Sequence, residues 1–288
     1  MPYLLAVSLI WAFSFGLIGN RLAGVDPFFV AAIRLALAGL VFLPFLRLRE
    51  LPIREVLKLA GCGAVQFGLM YVCYIRAFSY IPSHLVALFS ILTPVYVVLI
   101  NDLSRFRFHP FYLLVALLSV GGAGVIKMKG GVAGSLWIGF GLMQVAGIAF
   151  AFGQVFYRNW RLQHPGAKDR ELMAVLYGGA VLLAGTASLL LTDRAALIVS
   201  PEQWGILLYL GIVASGLGFF LWNKGAVCSK PATLAAFNNA LIPLAVLVSL
   251  LLFREAAGMA PAEWVRLVVG GGLIAGAIAL AERRERRA

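Results

Sequence analysis

The sequence predicts an all-α membrane protein in which ten transmembrane helices form two inverted five-helix repeats, at residues 1–129 and 130–288. Three observations lead to this fold class: an apolar composition, a series of apolar runs of spanning length, and a proline-marked segment that occurs twice. Of the 288 residues, 62% are hydrophobic and 12% are charged, whereas soluble domains are about 45–50% apolar and about 25% charged. Lipid is therefore the expected solvent for much of the surface.

The apolar runs are separated by prolines, glycines and charged residues. Because a spanning helix needs about 20 mostly apolar residues, we expect spans at 3–19, 27–46, 56–78, 82–100, 110–127, 135–157, 170–191, 202–224, 230–252 and 262–281. Pro27, Pro110 and Pro201 stand at or near predicted helix starts, where their missing N–H group is not needed. No basic segment precedes the first run, so it is expected to remain as span one rather than act as a signal peptide.

Basic residues predict the orientation. Most of the 24 Lys and Arg residues fall in loops on the side of the N-terminus or in the C-terminal tail. Since basic loops face the cytoplasm, both termini are expected there. The net charge of +12 is attributed to cytoplasmic loops and lipid headgroups, and no nucleic-acid partner is expected.

The segment from Pro82 to Pro94 returns in the second half of the chain as Pro231 to Pro243, with both prolines in register. Each repeat then contains five helices, an odd number, so the second repeat enters the membrane from the opposite side. Inverted repeats are the architecture of many secondary transporters, in which a central site opens to one side and then to the other. The joins between spans three and four, and between eight and nine, are short, so each pair should form a hairpin that walls this site.

The order of these features resembles the EamA type of the drug/metabolite transporter superfamily. The resemblance covers nearly the whole chain. It rests on the ten spans, the hairpin pattern Ala-x4-Pro-x11-Pro in both repeats, the glycines of spans five and ten, Arg34 in span two and Arg254-Glu255 after span nine. Within the superfamily, the chain is similar to the YddG-like bacterial exporters of aromatic and other amino acids. The resemblance implies a multi-pass protein of the bacterial inner membrane.

Sequence motifs of catalysis are absent from the chain. It contains no Gly-x-Ser-x-Gly, His-Glu-x-x-His or phosphate-loop pattern. The three histidines are dispersed, the 12 carboxylates fall in loops or at span ends, and the three cysteines lack zinc-site spacing. We therefore expect neither a metal nor a cofactor, and no enzyme activity. A membrane-embedded enzyme stays an alternative that would require acid–base or metal-binding residues clustered at an interface.

A transport site needs apolar walls and polar groups that replace water around the solute. In span three, Phe67, Tyr71, Tyr74 and Phe78 follow a helical spacing and are expected on one continuous face. Such a stripe of rings suits an apolar or aromatic solute, although packing against a neighbouring helix would use the same pattern.

Polar side chains within the spans complete the predicted site. Asn238 and Asn239 lie inside span nine, where amides are costly unless they are paired or face water. They are expected to contact substrate, with helix–helix hydrogen bonds as the alternative. Arg34 is instead expected to bond neighbouring carbonyls or to reach the interface. The predicted substrate-binding residues are Trp11, Ser14, Gln66, Tyr71, Tyr74, Phe78, Phe89, Ser90, Thr93, Gln144, Gln154, Trp222, Asn238 and Asn239. The predicted gating and structural residues are His84, Pro82, Pro94, Pro231 and Pro243.

Together these features predict a secondary transporter that exports small metabolites by alternating access at a central cavity between the repeats. Amino acids with aromatic or apolar side chains are the expected substrates, with a drug or a nucleotide sugar as the alternative. No carboxylate is expected deep within a span, so facilitated diffusion and proton exchange both stay open. The solute and the lipid bilayer are the expected partners, and a homodimer is allowed but not required.

Overall fold

In the computed structural model, every element of regular secondary structure among the described residues is a helix. The structure describes residues 2–47, 51–81, 86, 89–104, 106, 110–127, 136–195, 197–230, 233–238, 241, 244 and 261–287. By length and composition, six described helices can cross a membrane: Pro2–Gly19, Pro27–Phe45, Ile53–Ala77, Trp137–Gln163, Asp169–Leu191 and Pro201–Val227. They correspond to predicted spans one, two, three, six, seven and eight. The all-α fold class is confirmed.

The other four spans are described to different extents. Spans five and ten are the helices Pro110–Lys127 and Pro261–Arg287. Span four is described from the 3-10 turn Ser90–Leu92 through the helix Thr93–Ser104. Span nine is described only at 233–238, 241 and 244. The count of ten spans and the cytoplasmic termini therefore stay predictions.

Helix ends follow local chemistry. Ser200 caps the start of span eight in a capping box, which satisfies two backbone N–H groups of the first turn. Three predicted ends are too early by four residues or more, since span four continues to Ser104, span six to Gln163 and span ten to Arg287. In span six, an ion pair stabilises the additional turns: the guanidinium of Arg161 lies 2.8 Å from the carboxylate of Asp169.

Spans three and eight are not continuous α-helices. Span three consists of Ile53–Gly63, a π-helical segment at Ala64–Leu69, and Met70–Ala77. Span eight consists of Pro201–Tyr209, a π-helical segment at Leu210–Leu217, and Gly218–Val227. A π-helical turn contains an additional residue and changes the direction of the side chains that follow it. The continuous helical face predicted for span three is therefore wrong.

The spans pack in pairs that join the first predicted repeat to the second. Span two packs on span seven, and span five packs on span ten. Span three packs on spans six and seven, whereas span eight packs on spans one and two. In two equivalent repeats, span three corresponds to span eight, span one to span six, and span two to span seven. The contacts of span three with spans six and seven therefore correspond to those of span eight with spans one and two, as such repeats predict. The division into 1–129 and 130–288 itself stays a prediction.

Glycines allow the closest contact between spans three and seven. A Cβ atom added at Gly63 would overlap the backbone of Leu176, and one added at Gly179 would overlap the backbone of Ala60. Small residues let two membrane helices approach until their backbones touch. This pair of contacts fixes span three, which carries part of the cavity described below, against span seven.

The contact between spans five and ten also depends on glycine, but not on every glycine there. A Cβ atom at Gly122 would lie 2.6 Å from the carbonyl oxygen of Gly270. At Gly121, Gly272 or Gly276 it would meet none of the described residues within 4 Å. Close approach of the helices therefore explains the first position and leaves the other three without a packing reason.

Candidate functional site

A cavity of about 120 Å³ lies between the two halves of the chain. On a measure in which about 10–15 Å³ holds one water molecule, this space holds several waters or part of a small solute. Spans one, two, three, four, six, eight and nine all contribute side chains. The lining residues are Trp11, Ser14, Ile18, Arg34, Met70, Tyr71, Tyr74, Ser90, Thr93, Met143, Ala146, Gly147, Phe150, Phe219, Trp222, Phe237, Asn238 and Leu241.

The structure brings together more than half of the predicted substrate-binding residues. Those that line the cavity are Trp11, Ser14, Tyr71, Tyr74, Ser90, Thr93, Trp222 and Asn238. Those that are described but do not line it are Gln66, Phe78, Phe89, Gln144 and Gln154. Asn239 and the predicted gating and structural residues Pro82, His84, Pro231 and Pro243 lie outside the described residues. Pro94 is buried in the first turn of Thr93–Ser104, directly after the 3-10 turn.

Two of the predicted amides connect helices instead of lining the cavity. Gln66 is fully buried, and its amide nitrogen donates to the Oδ1 atom of Asn223 at 2.9 Å. Gln144 accepts a hydrogen bond from the hydroxyl of Tyr96 at 2.8 Å. An amide in a dry helical interface needs such a partner, and a neighbouring helix supplies it in both cases.

The third amide, Gln154, supports the cavity wall from behind. Its Oε1 atom accepts a hydrogen bond from the indole nitrogen of Trp222 at 3.0 Å. The same amide exchanges longer bonds of 3.4 Å with Asn238. Gln154 therefore fixes two lining residues without reaching the cavity itself.

The two phenylalanines that were predicted at the site pack elsewhere. The ring of Phe78 contacts the edge of Tyr74, with the ring centroids 5.3 Å apart. The ring of Phe89 packs edge-on against Phe140 at 5.1 Å. The first contact lies within span three, whereas the second joins spans four and six and is the helix packing that an aromatic pattern leaves open.

A cluster of rings forms one wall of the cavity. Trp11 stacks on Trp222 with the centroids 5.1 Å apart, and it meets Phe219 edge-on at 5.0 Å. The indole N–H of Trp11 donates to the carbonyl oxygen of Ala214 at 2.8 Å. Ala214 lies in the π-helical segment of span eight, where carbonyls are available to side-chain donors. The irregular backbone thereby fixes the orientation of a cavity ring.

The π-helical segment of span three divides the predicted stripe of rings. Tyr71 and Tyr74 line the cavity. Phe67, within the segment, is fully buried and stacks instead on Tyr177 and Phe219, with centroid distances of 5.2 Å and 4.6 Å. The additional residue in the π turn accounts for this difference, since it rotates Phe67 away from the face that the later tyrosines share.

Arg34 is the main lining residue for which the expectation from the sequence is wrong. It is 2% exposed and lines the cavity. Its Nη2 atom donates to the hydroxyl of Tyr71 at 2.8 Å, and its guanidinium carbon lies 4.6 Å from the centre of that ring. The hydroxyl of Tyr71 is in turn 2.9 Å from that of Ser215. A charged residue inside an apolar span is by itself a reason to expect a functional site, and this rule would have selected Arg34 from the sequence.

A second set of polar contacts joins the helix ends that the basic loops predict to be cytoplasmic. Asp169 accepts hydrogen bonds from Tyr157 at 2.6 Å and from Arg161 at 2.8 Å. The indole N–H of Trp160 donates to Glu55 at 2.6 Å. Glu55 is in the first predicted repeat and Trp160 is in the second. The contact of Trp160 with Glu55 therefore joins the two predicted repeats on that side of the bundle, whereas the contacts of Asp169 lie within the second repeat.

No acidic side chain is among the described residues that line the cavity. The same part of the chain contains no group of three or more His, Cys, Asp or Glu side chains placed to hold a metal. The electrostatics of the described cavity are therefore those of one guanidinium surrounded by aromatic rings, hydroxyl groups and an amide.

A membrane bundle whose two halves enclose a cavity has the arrangement of a solute transporter. The model of the EamA-like transporter family matches residues 1–128. A probable biotin transporter of Pseudomonas aeruginosa is 41% identical over 276 residues, which cover 95% of this chain and 94% of the relative. The biotin transporter of Escherichia coli is 40% identical over 257 residues, which cover 88% and 85%. The chain belongs to the EamA-like transporter family, and it is a multi-pass protein of the bacterial inner membrane.

A comparison with solved structures supports the fold described above. A solved crystal structure aligns over 99% of this chain and 97% of its own, with a TM-score of 0.76 at 19% sequence identity. At that identity the likeness shows the fold alone. Particular closeness to the YddG-like exporters stays a prediction, since the reported relatives with about 40% identity are biotin transporters.

Proposed function

We propose that this protein carries biotin across the membrane by alternating access at the central cavity. The family places it among transporters of small molecules, and relatives that match nearly its whole length are named biotin transporters. The observation that carries the proposal is that the cavity lies between the halves of the chain and combines a wall of rings with hydrogen-bonding groups. A solute with an apolar body and a few polar atoms fits these surroundings.

The chemistry of biotin matches the lining in outline. Its fused ring system and its four-carbon chain are largely apolar, and Trp11, Phe219 and Trp222 offer ring surface to them. Its ureido group donates and accepts hydrogen bonds. The hydroxyl of Thr93 and the amide of Asn238, which also donate and accept, lie in the same cavity. Its carboxylate requires a cation or several donors.

The packing of the spans supports a mechanism in which the two halves rock against each other. Contacts such as that between Glu55 and Trp160 join the predicted repeats on one side of the cavity. Those contacts would break when that side opens, while an equivalent closure forms on the other side. Export, as the sequence suggests, and uptake use the same cycle, and the direction follows the solute gradient unless an ion is coupled to it.

An aromatic amino acid is the second candidate, because the same rings favour it. A drug or a nucleotide sugar is less favoured. A nucleotide sugar carries at least two negative charges, and Arg34 is the single basic side chain among the described lining residues.

Competition in proteoliposomes tests the choice of substrate. Purified protein is reconstituted, and uptake of radiolabelled biotin is measured against unlabelled biotin, phenylalanine, a nucleotide sugar and a cationic drug, each in large excess. We expect only biotin to compete, and protein-free liposomes to give the background. Uptake of labelled phenylalanine without uptake of biotin would replace the biotin proposal with the amino-acid one. Repeating the assay with and without a pH gradient separates facilitated diffusion from proton exchange.

A further inference from the structure

We propose that Arg34 binds the carboxylate of the transported solute, so that this cavity accepts small monocarboxylates with an apolar body and no positive charge. The inference rests on the proposed function of the cavity as a solute site, but it does not require that the solute be biotin. It assigns a specificity-determining residue and a chemical class of substrate.

The guanidinium of Arg34 has donors that nothing in the described structure uses. Its Nε and Nη1 atoms are buried and have no hydrogen-bond partner among the described residues. Its Nη2 atom bonds Tyr71, a neutral hydroxyl that cannot balance the charge. A buried cation without a counter-ion is costly, and within a membrane such residues usually face a partner or a functional cavity. Arg34 lines the cavity, so an anion that enters it would lie beside the guanidinium and balance its charge.

The hydrogen bonds around Arg34 hold it in place for such an anion. Arg34 donates to the hydroxyl of Tyr71, and the Tyr71 and Ser215 hydroxyls are 2.9 Å apart. Ser215 uses its own hydrogen to bond the carbonyl of Leu210 at 2.8 Å. Tyr71 is therefore the donor to Ser215, and its oxygen is free to accept from Arg34. A guanidinium oriented in this way loses little freedom when it binds a carboxylate, the acceptor that its planar donors match best.

The surroundings of Arg34 determine what else the solute can carry. The ring of Tyr71 packs against Phe219 at 5.7 Å, and Phe219 packs against Trp11 at 5.0 Å. Apolar surface therefore continues from the arginine into the cavity, and it suits an apolar body attached to the carboxylate. An α-amino acid would bring its ammonium group next to Arg34, and no acidic side chain among the described lining residues would balance the two cations. A monocarboxylate avoids this repulsion.

The test compares acids with their neutral amides. Binding of biotin, biotin amide, 3-phenylpropionate, 3-phenylpropionamide and phenylalanine is measured with the purified full-length protein in nanodiscs. The variants are Arg34→Gln, Arg34→Lys and the control Arg76→Gln. Arg76 also bonds a tyrosine hydroxyl, that of Tyr80 at 3.0 Å, and lies over its ring, but it does not line the cavity.

We expect the unmodified protein to bind each acid about tenfold or more tightly than its amide, the effect of a hydrogen bond to a charged group. Arg34→Gln should remove this preference by weakening acid binding while amide binding stays unchanged. Arg34→Lys should keep part of the preference, and Arg76→Gln should keep all of it.

Several results would overturn the proposal. These are an unchanged acid preference in Arg34→Gln, an equal loss of acid and amide binding in that variant, and phenylalanine binding as tightly as 3-phenylpropionate. If Arg34→Gln does not fold, the unmodified protein and Arg34→Lys still test the proposal. It fails if the unmodified protein does not prefer the acids or if Arg34→Lys keeps the whole preference. An Arg34-dependent preference for 3-phenylpropionate without biotin binding would reject the biotin proposal alone. Equal binding of biotin and its amide would reject the role of Arg34 alone.

Discussion

Replacement of Gly179 by alanine should separate spans three and seven. The new methyl group would lie 2.6 Å from the carbonyl carbon and 2.9 Å from the Cα atom of Ala60. These atoms belong to a helix backbone and cannot rotate away as the end of a side chain can. Because the carbonyl oxygen of Ala60 is closer still, the two backbones must move apart by roughly 1.5 Å at this crossing to reach an ordinary contact.

The neighbouring glycine provides a matched control. A Cβ atom at Gly178 would meet nothing within 4 Å in the described part of the chain, so Gly178→Ala should change stability by no more than the gain in helix propensity, about 1 kcal/mol. Overpacking at Gly179 should cost about 1–3 kcal/mol. The midpoint of thermal unfolding for Gly179→Ala should then fall by roughly 2–12 °C, at about 2–4 °C per kcal/mol for a chain of this size.

The assay heats both variants and the unmodified protein in one detergent at one scan rate, because unfolding of membrane proteins is generally irreversible. The measured quantity is the temperature at which half of the protein stays monodisperse. Gly63→Ala repeats the comparison on span three, with the unobstructed Gly61 as its control. Equal midpoints for Gly179→Ala and Gly178→Ala would refute the backbone contact between these spans.

Two further predictions concern the interior of the bundle. Tyr177→Phe removes the hydroxyl that donates to the Ser215 carbonyl at 2.7 Å, so it should destabilise the protein by about 1 kcal/mol. Tyr209→Phe, which loses no hydrogen bond to the described residues, should leave the thermal midpoint unchanged, and equal shifts would contradict the assignment. Cys228 is exposed and the other two cysteines are buried, so a polar maleimide should label the folded protein once and the denatured protein three times. More than one label on the folded protein would show that a buried cysteine is accessible.

The positions of the described helices could be predicted from the sequence because lipid leaves few choices to the backbone. Within a bilayer each N–H and C=O group must be satisfied internally, so a long apolar run becomes a helix. The helix Pro110–Lys127 has the predicted bounds, and Asp169–Leu191 differs from its prediction by one residue. Proline and charged residues define those ends in the sequence itself.

The π-helical segments could not be predicted in the same way. In span eight, carbonyls of the π-helical segment accept hydrogen bonds from the side chains of Trp11 and Tyr177, which lie on other spans. Such contacts depend on tertiary packing, which hydrophobic periodicity does not encode. For this reason the periodic pattern of span three placed Phe67 on the same face as Tyr71, while the π turn separates them.

The composition of the cavity was predictable, but the role of each polar residue was not. Polar groups within spans must face water or find a partner, so they identify candidates. Gln66 and Gln144 found partners on neighbouring helices, whereas Thr93 and Asn238 line the cavity. Only the three-dimensional arrangement distinguishes these two outcomes, and it also moves Arg34 from the expected interface to the cavity.

Equilibrium counterflow tests the central claim of a biotin carrier most directly. Proteoliposomes are loaded with unlabelled biotin and diluted into a trace of labelled biotin without any ion gradient. A carrier that alternates between two sides exchanges one molecule for another, so labelled biotin should accumulate transiently above its equilibrium level and then decline. Labelled biotin that rises no higher than in protein-free liposomes, under conditions where the protein is folded, would contradict the account.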